Sequence, residues 1–547
     1  MSVEPSTSSL DLTYPKYMVF CVVVASLNFF CIGWVTGSAN LPGTITHACE
    51  NGIAHVQTSM LPDCLPMSDA LWGFAVASFC VGALIGGLLG GYIQTKLGRR
   101  RTIFYNSFGY TIGGILISCS TSPSMFIVSR IICGLSCGVG SLTVPIYVGE
   151  ISTVKSRGVM GTVNQMMTST GILLSCIVGL PLSTVPLWRI NYAIVTVPAV
   201  MQIILMPFCI ESPRYLVSIN KLSEAKASLQ RLRPNTSIDM EFYAMVEGQL
   251  GSNAAMAAIS HSALLTAGTV EPDYFMIDSS NTKTDNGKSK AELIFNTNKR
   301  QLIDAPLSTP PLPTPPPIYS KGSNSNPGIK ETKTPMNMIQ IFCDPSTRRV
   351  ALIVILIHCF QQLIGINAVM YYSTTMFTKV FNPYMSKYMA IVCSAVNFLL
   401  TVVSIVLVDR TGRRSLLLVS QAGACIFAVL LTVGYVYSIN ALLVLSIFSY
   451  VALFAVGMGP VPWILISELS PVYASSSVGS AAAAMNWAMN FLIGQCFPII
   501  FSSIQGHSFL IFAVVAFTAL LFTYFKIPET KGRSIEDITA GLQSASD

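Results

Sequence analysis

A chain of 547 residues that is 52% hydrophobic and only 10% charged, with a mean hydropathy of +0.60, is too apolar for a soluble globular protein, which carries roughly 25% charged residues. Its net charge of +7 does not point to nucleic acid, because the basic residues gather at the ends of apolar runs and not on one face. The five histidines are scattered without metal-ligand spacing, and no nucleophile–base pair or phosphate loop is present, so neither a cofactor nor an enzymatic activity is implied.

Taken in order, a short tail (1–16) with Glu4, Pro5 and Asp11 precedes the first apolar run, which is longer than a signal peptide's core and is expected to stay as a helix. Runs of membrane-spanning length lie near 17–41, 70–94, 102–121, 125–149, 160–183 and 189–210. After a polar segment, 211–346, further runs lie near 349–376, 385–408, 415–437, 441–467, 476–500 and 507–526, followed by a tail from 527 to 547. The expected fold class is an all-α integral membrane protein with twelve spans. Lys96, Arg99, Arg100 and Arg101 follow the second run, Arg410, Arg413 and Arg414 the eighth, and Lys526, Lys531 and Arg533 the last, while the opposite loops hold little beyond Arg189, Lys379 and Lys387. Positive charge inside therefore places both termini in the cytoplasm. Most of the 15 cysteines sit within apolar runs as small apolar residues, but Cys49 and Cys64 share the loop after the first run and can pair if that loop is extracellular.

The polar middle divides in two. Residues 221–250 set Leu222, Ala225, Leu229 and Leu232 among charges, which predicts short amphipathic helices. Residues 251–335, with a proline-rich stretch from Ser308 to Pro317, have a composition that cannot bury a core and read as a disordered insertion. Thr309, Thr314 and Thr334 each precede proline as phosphorylation candidates, against the plainer reading of a tolerated insertion.

The seventh run contains Phe-Gln-Gln-Leu-Ile-Gly-Ile-Asn-Ala-Val-Met-Tyr-Tyr from Phe360 to Tyr372. Gln361, Gln362 and Asn367 must find partners, because lipid offers none, and Gly365 between them permits local unwinding. Either they join helices, or they line a polar cavity near the membrane's midplane; the clustering favours the cavity. An internal repeat organises the rest. Thr95-Lys-Leu-Gly-Arg-Arg100 recurs as Asp409-Arg-Thr-Gly-Arg-Arg414, Val144-Pro145 with Glu150 as Val461-Pro462 with Glu468, and Glu211-Ser-Pro-Arg214 as Glu529-Thr-Lys-Gly-Arg533. Three landmarks in the same order make two six-helix halves, 17–210 and 347–526.

With Arg130-x-x-x-Gly134-x-x-x-Gly138, Pro145-x-Tyr147-x-x-Glu150, Gly459-Pro460-Val461-Pro462-Trp463 and Asn486-Trp487 added, the chain resembles the sugar-porter family of the major facilitator superfamily, and most closely its facilitative hexose transporters. The resemblance covers all but the insertion. It implies a hexose site between the halves formed by Gln165, Gln361, Gln362, Asn367, Asn397 and Trp463, with membrane lipid as the surrounding partner. Amides suit a hexose independently, since they donate and accept as hydroxyls do. Pro460 and Pro462 are expected to break the tenth helix beside Trp463. The resemblance also implies a cytoplasmic latch among Arg99, Arg100, Glu150, Arg157, Glu211 and Arg214, and between Glu468 and Arg413 or Arg414. Arg130, costly in lipid, is expected to be paired inside the bundle.

Departures from the family pattern are Thr95 in place of Asp, Ser475 in place of Arg, Ala455 in place of a sugar-holding Glu, and His358-Cys359-Phe360 just before the paired glutamines. They leave the first latch looser than the second, one sugar contact missing, and the exclusion of fructose open. The function read here is facilitative transport of a hexose, D-glucose first, across the plasma membrane. A proton-coupled symporter and a non-transporting sugar sensor are the alternatives.

Overall fold

A computed structural model describes residues 14–49, 60–153, 155–234, 236–250, 256, 336–378, 380–471 and 473–531. Apart from Met256, the insertion 251–335 with its three threonines lies outside the described residues, as do 1–13 and 532–547. Of the described residues, those up to Tyr215, from Ala227 to Ile238 and from Met336 onward form one compact unit; those from Leu216 to Lys226, from Asp239 to Leu250 and Met256 form a second.

In the larger unit the first half runs through α1 (Lys16–Gly37), a short α2 (Gly43–His47), α3 (Asp69–Leu97), α4 (Arg99–Ser118), α5 (Pro123–Ile151) and α6 (Arg157–Leu182). Its sixth span is broken into α7 (Trp188–Ala193) and α8 (Thr196–Leu205). Pro198 explains the break: without an N–H it cannot bond the carbonyl four residues back, at Ile194. Then come α9 (Pro213–Ser218), α10 (Leu222–Leu232) and α11 (Asp239–Leu250). The second half comprises α12 (Gln340–Cys343), α13 (Pro345–Leu363), α14 (Ile366–Phe377), α15 (Pro383–Thr411), α16 (Arg413–Val436), α17 (Asn440–Val456), α18 (Val461–Leu469), α19 (Ser475–Ile504) and α20 (Ser508–Lys526). In the smaller unit Lys226 pairs with Asp239 at 2.9 Å, and its ammonium also lies over the Phe242 ring.

Ten stretches among the described residues are long and apolar enough to cross a membrane. The last, Ser475–Lys526, has 52 residues and is two helices joined by a 3-10 turn at Gln505–His507, since about 20 residues suffice for one crossing. The 20-residue α4, which opens with three arginines, corresponds to the third expected span but is not among these stretches. This is the expected all-α membrane fold in two halves. They meet along α3 against α19 and α6 against α15. Within the first half, α3 and α5 approach so closely that a Cβ on Gly134 would fall 2.0 Å from the Phe79 carbonyl oxygen. That accounts for the glycine spacing after Arg130.

The repeat is visible atom by atom. Gly98 and Gly412 precede α4 and α16 with φ of 87° and 92°. The space where a Cβ would stand is taken by a carboxylate: Glu211 Oε2 at 2.5 Å from that point in the first half, Glu529 Oε2 at 2.5 Å in the second. Glu211 accepts from the backbone N–H of Arg99 (2.9 Å) and Arg100 (3.1 Å). Glu529 accepts from Arg413 (2.9 Å) and Arg414 (3.2 Å). Each acid thus satisfies the free N–H groups of a helix start. Gly98→Ala and Gly412→Ala combine left-handed strain with a displaced carboxylate and should each cost about 1–3 kcal/mol. A matched fall in the melting temperature of purified protein would show it; an unchanged melt for both would refute the account.

Cys49 and Cys64 are joined in a disulfide with Cα atoms 5.7 Å apart. The loop that holds them is tied down by Trp188 Nε1, which donates to the Asp63 carbonyl at 2.9 Å, and by Arg189, which donates to Pro62, Ser118 and Ser120 carbonyls.

Candidate functional site

Two broken helices face each other in the second half. The seventh span bends at Gly365, whose φ of 99° ends α13 and starts α14, as the glycine between the amides predicts. A side chain there would collide with the Phe512 ring, which lies 2.6 Å from the Cβ position. The tenth span opens between α17 and α18, from Gly457 to Pro460. The sequence places this break at Pro460 and Pro462; Pro462 instead lies in the first turn of α18, where a missing N–H costs nothing. Both prolines still act, through the carbonyls they leave unbonded four residues back. Pro460 frees Val456 O, which accepts from Ser404 Oγ at 2.7 Å. Pro462 frees Met458 O, which accepts from Gln361 Nε2 at 2.7 Å.

Gln361 therefore links one break to the other. Its Nε2 also donates to Gly459 O at 3.0 Å, and its Oε1 accepts from Asn486 Nδ2 at 2.7 Å. Asn486 Oδ1 accepts from Gln362 Nε2 at 3.1 Å, and Gln362 Oε1 accepts from Asn367 Nδ2. Further along, Tyr371 Oη donates to Asn490 Oδ1 at 2.8 Å and Tyr372 Oη to Gly494 O at 2.9 Å. Gln361 and Gln362 are 3% and 8% exposed, so the inner part of the network is shut from water, while Asn367 at its end is only partly buried.

The other expected site residues divide. Trp463 is buried, edge-on to the His358 ring at 4.9 Å and to Phe29 of the first half at 6.2 Å. Gln165 comes across from α6 to the turn in the tenth span, its Nε2 lying 3.3 Å from the Cβ position of Gly459. Asn397 is buried in α15, and its Oδ1 has no hydrogen-bond partner among the described residues. Between α18 and the first half, a cleft lined by Arg157, Asn164, Trp463 and Ser467 holds about 10 Å³ of free space, room for roughly one water. Sequence reasoning quoted Asn486 without assigning it to the site and read His358 only as a departure. The signal for the first was the spacing Asn486, Asn490, Gly494, one face of α19 opposite the amides.

A family model described as "Sugar (and other) transporter" matches residues 20–277 and 321–542. The chain belongs to this sugar transporter family. It is 31% identical to the solute carrier family 2, facilitated glucose transporter member 4 of Mus musculus over 541 residues, covering 96% of this chain and 90% of that one. It is likewise 31% identical to member 3 of Oryctolagus cuniculus, covering 96% and 92%. Its fold is similar to that of the proton:xylose symporter XylE bound to 6-bromo-6-deoxy-D-glucose, with a TM-score of 0.70 at 22% identity over 96% of this chain and 99% of that one. Against the inward open xylose transporter XylE from E. coli the TM-score is 0.60 at 23% identity, over 96% and 99%.

In this sugar transporter two of the charged pairs expected in the latch form, each within its own half. Arg99 forks onto Glu150, Nε to Oε2 at 3.1 Å and Nη2 to Oε1 at 3.0 Å. Arg413 forks onto Glu468, with Nη2 to Oε1 at 2.9 Å, and Thr530 Oγ1 donates to the same acid at 2.7 Å. The two forks have similar distances, and Thr530 adds a further donor to the second. Thr95 instead bonds back to its own helix at Gly91 O. Arg100 Nη1 donates to Cys209 O and Arg414 Nη2 to Tyr524 O. Burial raises the Glu211 carboxyl's affinity for its proton, against the pull of the Ser212, Arg100 and Arg99 N–H groups and the Arg99 charge. Arg157 and Arg214 open α6 and α9. Arg130 is fully buried and donates to two carbonyls, Val35 O at 3.0 Å and Val76 O at 2.7 Å, with the Phe79 ring 5.0 Å from its guanidinium. Its expected pairing is with backbone dipoles of α1 and α3.

Proposed function

We propose that this chain moves a hexose, D-glucose first among them, down its concentration gradient by alternating access, with the halves rocking about the amide network. Gln165, Gln361, Gln362, Asn367, Asn397 and Trp463 hold the sugar. The fork pairs at Glu150 and Glu468, with Arg99, Arg100, Arg157, Glu211, Arg214, Arg413 and Arg414, steady the cytoplasmic ends. The membrane is the plasma membrane and both termini are cytoplasmic, a reading supported by the Lys and Arg distribution.

Val35 carries the uniport reading. It stands in α1, two residues after Gly33, where the family resemblance puts an aspartate in proton-coupled members; here the side chain is apolar and buried. Among the described residues, every Asp or Glu of the spanning helices lies at a helix end, and a proton relay needs an ionisable group facing the cavity. The names of the two mammalian relatives, facilitated glucose transporters, support the same reading. The feature favouring proton coupling is His358, a titratable ring beside the amides. Sugar added to voltage-clamped cells expressing this protein should evoke no inward current, and a protonophore should leave initial uptake unchanged. A sugar-dependent proton current would overturn uniport in favour of symport.

A further inference from the structure

Gly87 and Gly91 stand four apart on α3, so the Gly91 N–H and the Gly87 carbonyl are the two ends of one rung of its helical ladder. The hydroxyl of Ser480, on α19 of the other half, bridges that rung. It accepts from the Gly91 N–H at 3.0 Å and donates to Gly87 O at 2.9 Å. The missing side chains let it in. A Cβ on Gly91 would fall 2.4 Å from Ser480 Oγ and 3.1 Å from Ser476 O, and one on Gly87 would fall 3.2 Å from the Ala484 nitrogen. Ser480 is 1% exposed, so water does not compete for the two bonds. The contact lies toward the end of α3 that carries Lys96, the side read as cytoplasmic. The Arg99–Glu150 and Arg413–Glu468 forks stand at that end too, but each joins helices of a single half. The Ser480 bonds cross from one half to the other.

We propose that Ser480 is a hydroxyl latch, holding the cytoplasmic ends of α3 and α19 together and letting go when that side opens. This rests on the alternating access read above, though not on which sugar is carried. Every group in the contact has a second partner at hand. When α3 and α19 part, the Gly91 N–H and Gly87 O close their own rung. A serine within a helix turns its hydroxyl to the carbonyl four residues back, here Ser476 O. Parting therefore strands no buried donor or acceptor, and the joined state is favoured only by the net worth of two ordinary hydrogen bonds. A joint that opens in every cycle needs a bias of that size, since a conformational equilibrium moves only by the difference in bonding between its states.

The test is a pulsed electron-resonance distance measurement on the purified full chain without sugar. Spin labels are carried by p-acetylphenylalanine at Lys96 and Thr411, exposed positions at the same end of the two halves, so the native thiols stay untouched. Ser480→Ala removes both bonds and adds no bulk. It should raise the ratio of the long, parted distance to the short one roughly three- to tenfold, while the melting temperature stays near wild type because the rung closes on itself. Gly91→Ala drives a methyl against the Ser480 hydroxyl and should shift the distances the same way; it is the second variant if the alanine protein at 480 fails to fold. A serine that merely supported packing would lower the melt and leave the distances where they were. That result overturns the latch, as does a distance distribution unchanged in both variants. A wild type that takes up no labelled hexose overturns the hexose reading and not the latch, which the sugar-free distances decide.

Discussion

Gln361→Ala should lower hexose uptake roughly tenfold or more and reduce thermal stability in the same step. The substitution removes the donor to Met458 O and Gly459 O and the acceptor from Asn486 Nδ2. Those three groups are left in a site from which water is excluded, at about 1–3 kcal/mol for each that stays unpaired. The break in the tenth span then loses its tie to the seventh, and the turn that carries Trp463 loses its position. Asn367→Ala and Gln165→Ala provide the contrast. Both residues are only partly buried, so each should depress uptake while the melt and surface expression stay near wild type. Labelled-hexose uptake normalised to surface protein, with melting of the purified variants, separates the two effects. Normal transport by all three variants would sink the site assignment.

Arg130→Ala should be the most destabilising single change outside the amides, at about 3–5 kcal/mol. The guanidinium spans Val35 O and Val76 O, which belong to different helices, with two nitrogens, and Ser38 Oγ reaches only the first of them, at 3.4 Å. Val35 lies in the last turn of α1, where carbonyls have no helical partner. Truncation would also open a cavity beside Phe79. Arg130→Lys keeps the charge but loses the planar fork, and should fall between the alanine variant and the wild type. Tryptophan-fluorescence melts of the three purified proteins decide it. An alanine variant melting with the wild type would show that the two carbonyls need no donor.

Most of the fold was legible because a membrane imposes a coarse grammar: apolar length, basic flanks and a repeat of landmarks suffice to place spans and halves. Gly365 was legible for a local reason, since a glycine between amides in an apolar run marks a bend whatever surrounds it. The role of Gln361 was not. It depends on a proline removing an N–H about a hundred residues away, and on the freed carbonyl arriving within 2.7 Å of a side chain in another helix. The sixth span looked continuous because most of its residues are apolar; the missing donor of Pro198 interrupts it. The latch residues were readable as charges at helix ends, but their pairing within each half required the packing of α4 on α5 and the seating of Arg413 against α18.

The carboxylates lodged behind Gly98 and Gly412 bear on how the chain is made. Glu211 reaches Arg99 across 112 residues, and Glu529 reaches Arg413 across 116. In a polypeptide that emerges from its N-terminus, the start of the third span therefore waits, its N–H groups unanswered, until the sixth span has been synthesised. The ninth waits in the same way for the end of the twelfth. Each half fastens its own end to its own interior and borrows nothing from the other for the purpose. The contacts that close each half are thus complete once its own last acid has been made, independently of the other half.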